Sequence, residues 1–207
     1  MNLDIYNLDA MEQALAKLST FHQLAFAASC CERLLPNYRA FYRENQHGNP
    51  DILRIALDEV WQFIQETSMD FTRIRQLIAD CDDAVPDIDG GIYIYQAECA
   101  AMAIYYTLQA CLEPMNIKLM VKVVECVGNT IDEFIRLQKD ITEPSWFEKS
   151  YEEQKEEIAH HPFTVRETAK QIEDLHRLKE VGILDRSFLE SLRTSFDNGG
   201  RSLIDLS

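Results

Sequence analysis

Residues Leu18 to Asn45 read LSTFHQLAFAASCCERLLPNYRAFYREN, and the fold follows from this stretch. Phe21, Leu24, Ala25, Ala28, Cys31 and Leu35 recur at steps of three and four, which lays a wide apolar face along a helix. Phe26, Ala27 and Cys30 add apolar groups elsewhere on the circumference. A helix that is apolar on most sides is enclosed by other helices rather than laid on a surface. Ser19 or Thr20 is placed to cap its start. Pro36 removes a backbone donor and disfavours a helical Leu35, so a kinked or two-part helix is expected. The apolar phase resumes with Tyr38, Phe41 and Tyr42.

A second segment of the same character is Ile92 to Leu112, IYIYQAECAAMAIYYTLQACL. Its IYIY start has strand propensity, but the alanine-rich remainder favours helix. Gln96, Glu98, Tyr105, Tyr106 and Gln109 make it too polar for a membrane span, and no apolar run reaches the ~20 residues one needs. Ala97, Ala100, Ala101 and Ala103 allow a close approach to the first segment. The two are expected to pack together at the centre of the molecule.

The remaining elements are punctuated by turn chemistry. His47-Gly48-Asn49-Pro50 ends one helix and starts the next, with Asn49 as N-cap and Pro50 at the first helical position. Leu53, Leu57, Val60, Trp61 and Ile64 then share one face. Asp70 caps a helix carrying Phe71, Ile74, Leu77, Ile78 and Cys81. The run DCDDAVPDIDGG from Asp80 to Gly91 reads as a loop. Asn116 opens a helix with Met120, Val124, Val127, Ile131, Phe134 and Ile135 inward, and Gly128 marks a tight approach. Residues 140–164 read as an irregular bridge with Trp146 and Phe147 tucked down. Thr164 caps a helix containing Val165, Ala169, Ile172, Leu175, Leu178 and Val181. Asp185 caps a last helix with Phe188, Leu189, Leu192 and Phe196. The expectation is an all-α, single-domain bundle over 1–207, with roughly eight helices around two buried central ones. Residues 1–8 and 201–207 read as loose ends.

The chain has 207 residues, enough for a sizeable core, and 20 Lys and Arg against 35 Asp and Glu, a formal charge of −15. That charge argues against binding a phosphate backbone, which depends on cationic side chains releasing counterions. It suits a basic protein partner. No charged leader precedes an apolar run, so no signal peptide is read and a cytoplasmic setting is expected. The six cysteines form no Cys-x-x-Cys pair, and the histidines are not spaced to complete a zinc site. Reduced core thiols are the expected reading, with no metal and no cofactor.

Four polar features sit where apolar residues are expected. Glu32-Arg33 lies in the central helix, Arg54 and Asp58 stand four apart beside Trp61, Glu98 lies among alanines, and His22 is near a helix start. Buried carboxylates need partners. Glu32 or Asp58 bonded to Arg33 or Arg54, with Glu98 on a tyrosine hydroxyl, makes a structural network. The sharper alternative is a carboxylate metal cluster of Glu32, Asp58 and Glu98 with His22. It lacks the Glu-x-x-His pairs of di-iron bundles.

The motifs Cys31-Glu32-Arg33-x-x-Pro36-Asn37-Tyr38, Arg54-x-x-Leu57-Asp58-x-x-Trp61 and the closing Leu192, Arg193, Gly200 and Ser202 resemble the bacterial YjaG-like family, a domain-of-unknown-function group. The resemblance implies an all-helical cytoplasmic protein and supplies no reaction. Function is therefore expected to be association with a protein: a homodimer or adaptor, with Tyr38, Phe41 and Tyr42 as candidate interface, or an inhibitor of a basic partner. The competing expectation is an enzyme or small-ligand binder. Its pocket would lie between the central helices, lined by Arg33, Arg54 and Asp58.

Overall fold

A computed structural model describes residues 3–87, 91–196 and 198–207. Among these there are nine α-helices and a short 3₁₀ turn, and no strand. They are α1 (Leu8–Leu15), α2 (Thr20–Asn45), α3 (Pro50–Glu66), α4 (Phe71–Asp83), α5 (Ile94–Leu112), α6 (Ile117–Thr142), the 3₁₀ turn Pro144–Glu148, α7 (Tyr151–His160), α8 (Pro162–Glu180) and α9 (Arg186–Thr194). The IYIY segment does not pair as a strand; Tyr93 takes a left-handed conformation and α5 follows it.

The two apolar segments do meet. α2 and α5 share a more extensive contact than any other helix pair among the described residues. They run antiparallel. Cys31 Sγ lies 3.3 Å from Thr107 Oγ1, and Asn45 Nδ2 donates to the Ile92 carbonyl at 2.9 Å. α6 packs on both, α3 and α4 flank α5, and α8 and α9 close over α2. Leu24, Phe26, Leu34, Ala97, Ala100 and Ile104 are fully enclosed in one continuous apolar core. Small alanines on α5 let the α2 backbone come close, which maximises dispersion contact per residue.

Helix α2 runs unbroken through Pro36, so it is not divided in two there. A proline there leaves the preceding turn short of a donor. The carbonyl that Pro36 leaves without its helical donor is that of Glu32, four residues back; the adjacent Arg33 carbonyl accepts from the Leu203 N–H of the C-terminal segment at 3.1 Å. Leu203 and Ile204 are buried, and Arg166 holds the Leu203 carbonyl and the Asp205 carboxylate. Residues 201–207 are thus a docked tail and not a loose end. The start of the chain is also anchored, since Ile5 is buried. A Cβ at Gly128 would lie 3.3 Å from the Tyr6 ring and 3.4 Å from the Ile5 carbonyl. Gly128 therefore makes room for residues 5 and 6 and not for another helix.

The bridge expected at 140–164 is mostly helical. A capping box between Ser150 and Glu153 starts α7, and His161 caps α8. Thr164 is not the cap; its hydroxyl donates to the Ile158 carbonyl. Trp146 tucks in completely, whereas Phe147 is exposed. The acidic loop is shorter than expected, because α4 continues to Asp83. Ile88, Asp89 and Gly90 lie outside the described residues, as do Met1, Asn2 and Asp197.

Candidate functional site

The charged residues singled out above do not form one cluster. They form two, on different faces of α2. Glu32 and Arg33 are adjacent on the helix and so point about 100° apart. Arg33 turns inward and is 1% exposed. Its Nε and Nη2 donate to the Glu167 carboxylate at 2.7–3.1 Å. Its Nη1 reaches Asp174 Oδ2 at 3.1 Å and Ser29 Oγ at 2.8 Å. Lys170 donates to the other Asp174 oxygen at 2.5 Å, and Gln171 donates to Glu167. Two cations face two carboxylates, so the network is neutral. Burial alone would lower the Arg33 pKa, but the adjoining Glu167, Cys30 and Asp174 raise it well above its usual value. The guanidinium is permanently charged and fully engaged.

Glu32 turns the other way. Arg54 forms a two-pronged pair with it, Nη1 to Oε2 at 2.6 Å and Nη2 to Oε1 at 2.9 Å. Trp61 Nε1 donates to Glu32 at 2.8 Å. Arg193 of α9 reaches Glu32 at 2.9 Å and Asp58 at 2.5 Å, and Arg54 also meets Asp58 at 2.8 Å. This partly exposed cluster ties α2, α3 and α9 together. Its arginine–carboxylate fork is the strongest form of such a pair. Both guanidinium groups expected to line a pocket are paired with the protein's own carboxylates.

The remaining candidates fall elsewhere. Glu98 stands apart on α5, half-buried beside Cys99 in a cleft against α6. His22 receives the Ser19 hydroxyl and donates to the Val181 carbonyl at 3.1 Å. The metal cluster built from Glu32, Asp58, Glu98 and His22 is therefore dispersed. No three His, Cys, Asp or Glu side chains converge on a metal position among the described residues. Tyr38 and Phe41 are buried and belong to the core; Tyr42 alone of that trio is exposed. The Tyr38 hydroxyl donates to the Ala84 carbonyl at 2.6 Å and accepts from Asn49 N–H at 3.1 Å. It pins the α2–α3 turn to the end of α4.

The buried network has a consequence for α8. That helix supplies Glu167 and Asp174 to Arg33, and Lys170 and Gln171 to those two carboxylates, a polar stripe spaced at three, four and seven residues. This stripe faces the core, and Val165 and Ala169, expected inside, are exposed. Ile172 is half-buried. These apolar side chains line a groove of about 520 Å³ with Leu3, Tyr6 and Ala159.

A family model described as "Protein of unknown function (DUF416)" matches residues 10–207. The chain belongs to the DUF416 family. It is 25% identical over 199 residues to the uncharacterized protein YjaG of Salmonella typhimurium, with 93% of each chain covered. To YjaG of Escherichia coli K12 it is 24% identical over 200 residues, again covering 93% of both. A crystal structure of a DUF416 family protein from Shewanella baltica OS155 superposes with a TM-score of 0.82, at 23% identity, over 95% of this chain and 97% of that one. That likeness shows the fold.

Within this DUF416 chain, Glu32, Arg54, Asp58, Trp61 and Arg193 are brought together, and all were legible as motif residues. Glu167, Lys170 and Asp174 were missed. The signal was present: a polar stripe at helical spacing on α8, of the kind a buried arginine requires.

Proposed function

We propose that this DUF416 protein acts without catalysis, by binding a protein partner along the groove on α8. The observation that carries the reading is the outward turn of the first half of that helix, whose second half keeps Leu175 and Leu178 in the core. Its charged stripe is spent on Arg33, so Val165, Ala169 and Ile172 are turned outward beside Leu3 and Tyr6. A concave apolar strip bounded by α7, α8 and the chain start suits an amphipathic helix, which seats residues spaced at three, four and seven. The net charge of −15 favours a partner helix with basic flanks and speeds its encounter. The paired state of Arg33, Arg54, Glu32 and Asp58 supports the non-catalytic part of the reading. The setting is the reducing cytoplasm, in keeping with six free thiols.

The test places a photoreactive side chain at Ala169, an exposed position, in the producing bacterium. The expected product is a cross-link to a basic protein that disappears when Val165→Lys is added. A chain that sediments as a monomer at every concentration and gives no protein adduct overturns the proposal. An adduct with a second copy of this chain would replace the basic partner by self-association. A small molecule retained in native mass spectra and lost in Val165→Lys would replace association by ligand binding.

A further inference from the structure

Five of the six cysteines have surroundings that hold them as neutral thiols. Cys30, Cys31, Cys81 and Cys111 are buried, and loss of solvation pushes each thiol pKa up, to about 12 for Cys31, Cys81 and Cys111. The fifth is Cys126, and its situation depends on the sixth. Cys99 on α5 and Cys126 on α6 face each other across the contact between these antiparallel helices. Their side chains are within hydrogen-bonding reach of one another. Both line one surface cleft of about 280 Å³ whose far wall is Tyr106, with the Lys122 ammonium 4.7 Å above its ring.

The pair has a third member. Thr130, one helical turn beyond Cys126, is fully buried, and its hydroxyl has no hydrogen-bond partner of its own. It sits beside the Cys99 sulfur. A buried hydroxyl left unpartnered is unfavourable, and it gains an acceptor when the neighbouring sulfur is a thiolate. Cys126 donates to the same sulfur. These two donors lower the Cys99 pKa, with Cys126 the larger cause, while Cys126 itself is raised because its proton is shared with Cys99 and because it is buried. Glu98 acts in the opposite direction on Cys99, which limits the effect. Cys99, itself buried at 6% exposure against 8% for Cys126, is distinguished by the donors at its sulfur; it and Cys126 alone among the six thiols line this cleft side by side.

We propose that Cys99 and Cys126 form a peroxide-oxidisable dithiol, with Cys99 the attacking thiol and Cys126 the resolving one. The oxidant is a hydroperoxide small enough for the cleft. Cys99 releases its proton and its sulfur attacks one peroxide oxygen. The O–O bond breaks, a sulfenic acid forms, and the departing hydroxide takes up the released proton as water. The Cys126 sulfur then attacks the Cys99 sulfur. The S–O bond breaks, the Cys126 proton leaves with the hydroxyl group as a second water, and the S–S bond closes. Two thiols and one hydrogen peroxide give one disulfide and two waters, and a dithiol reductant reverses the change. The product fastens α5 to α6. It is read on the isolated chain and does not depend on the groove on α8.

The experiment is peptide mapping of the full-length chain after a small excess of hydrogen peroxide, with free thiols alkylated under denaturing conditions. The expected map joins Cys99 to Cys126 and leaves the other four cysteines alkylated. Oxidation at Cys99 should run about tenfold faster than at any other position, the advantage of thiolate character beside a cleft. In Cys126→Ser, Cys99 should be trapped as sulfenic acid by dimedone. In Cys99→Ser, Cys126 should remain alkylatable. A wild-type map showing six alkylated cysteines, or oxidation spread evenly to Cys111 and Cys30, overturns the proposal, and this readout needs no variant to fold.

Discussion

Single side chains in this protein are fixed by where they can place a proton or a charge. Trp61 shows this. It is 6% exposed, and its indole N–H ends on Glu32, the same carboxylate held by Arg54 and Arg193. Trp61→Ala should therefore cost about 3–5 kcal/mol, as large core truncations do, and denaturant titration measures it. An unchanged midpoint would place Trp61 outside the core. Gly48 is constrained differently. Its φ of +91° is in the region that L side chains avoid, and a Cβ there would lie 2.3 Å from the Tyr38 hydroxyl. Gly48→Ala should destabilise by about 1–3 kcal/mol, and Tyr38→Phe should relieve part of that loss by removing the clashing oxygen. Double-mutant melting curves test this coupling.

The helices were the legible part of the sequence. Apolar spacing placed α2, α3, α5 and α6, and the caps at Asn49, Asp70 and Asp185 hold as side-chain acceptors. On α8 the spacing placed Leu175 and Leu178 correctly and misjudged Val165 and Ala169, because a local pattern does not reveal that Arg33, more than 130 residues earlier, demands carboxylates. A helix buries whichever stripe the rest of the molecule needs. The same limit applies beside Pro36, where the Arg33 carbonyl accepts from a tail distant in sequence. Deleting 203–207 should therefore lower stability measurably, with amide exchange accelerating in α2 around Arg33. Unchanged exchange there would show that the tail is not part of the core.

The start of α8 carries a pH dependence. The His161 ring accepts from Phe163 N–H through Nδ1, which only a neutral ring can do. Burial, and secondarily the Lys139 charge, lower its pKa below the model-peptide value of 6.5. The unfolded chain thus binds the proton more readily than the folded one, and acidification through 6.5 draws the equilibrium toward unfolding. His161→Asn keeps a capping oxygen and removes the titration. Its melting temperature should fall less than that of the parent as the pH is lowered through about 6.5, the usual histidine value. Parallel curves would contradict this.

At the scale of the whole molecule, the charges divide the labour. Glu32, Arg54, Asp58 and Arg193 tie α3 and α9 to one side of α2. Arg33, Glu167, Lys170 and Asp174 tie α8 to another. The groove on α8 follows from the second arrangement, so the proposed association depends on the network being structural. The melting temperature of Arg33→Ala addresses this. Removing Arg33 leaves the buried Glu167 carboxylate without a counter-ion and Asp174 with Lys170 alone, which costs about 3–5 kcal/mol. At about 2–4 °C per kcal/mol for a chain of this size, the fall is roughly 6–20 °C. A variant that melts with the parent would mean that Arg33 is held for some purpose other than the fold, and the non-catalytic reading would have to be abandoned.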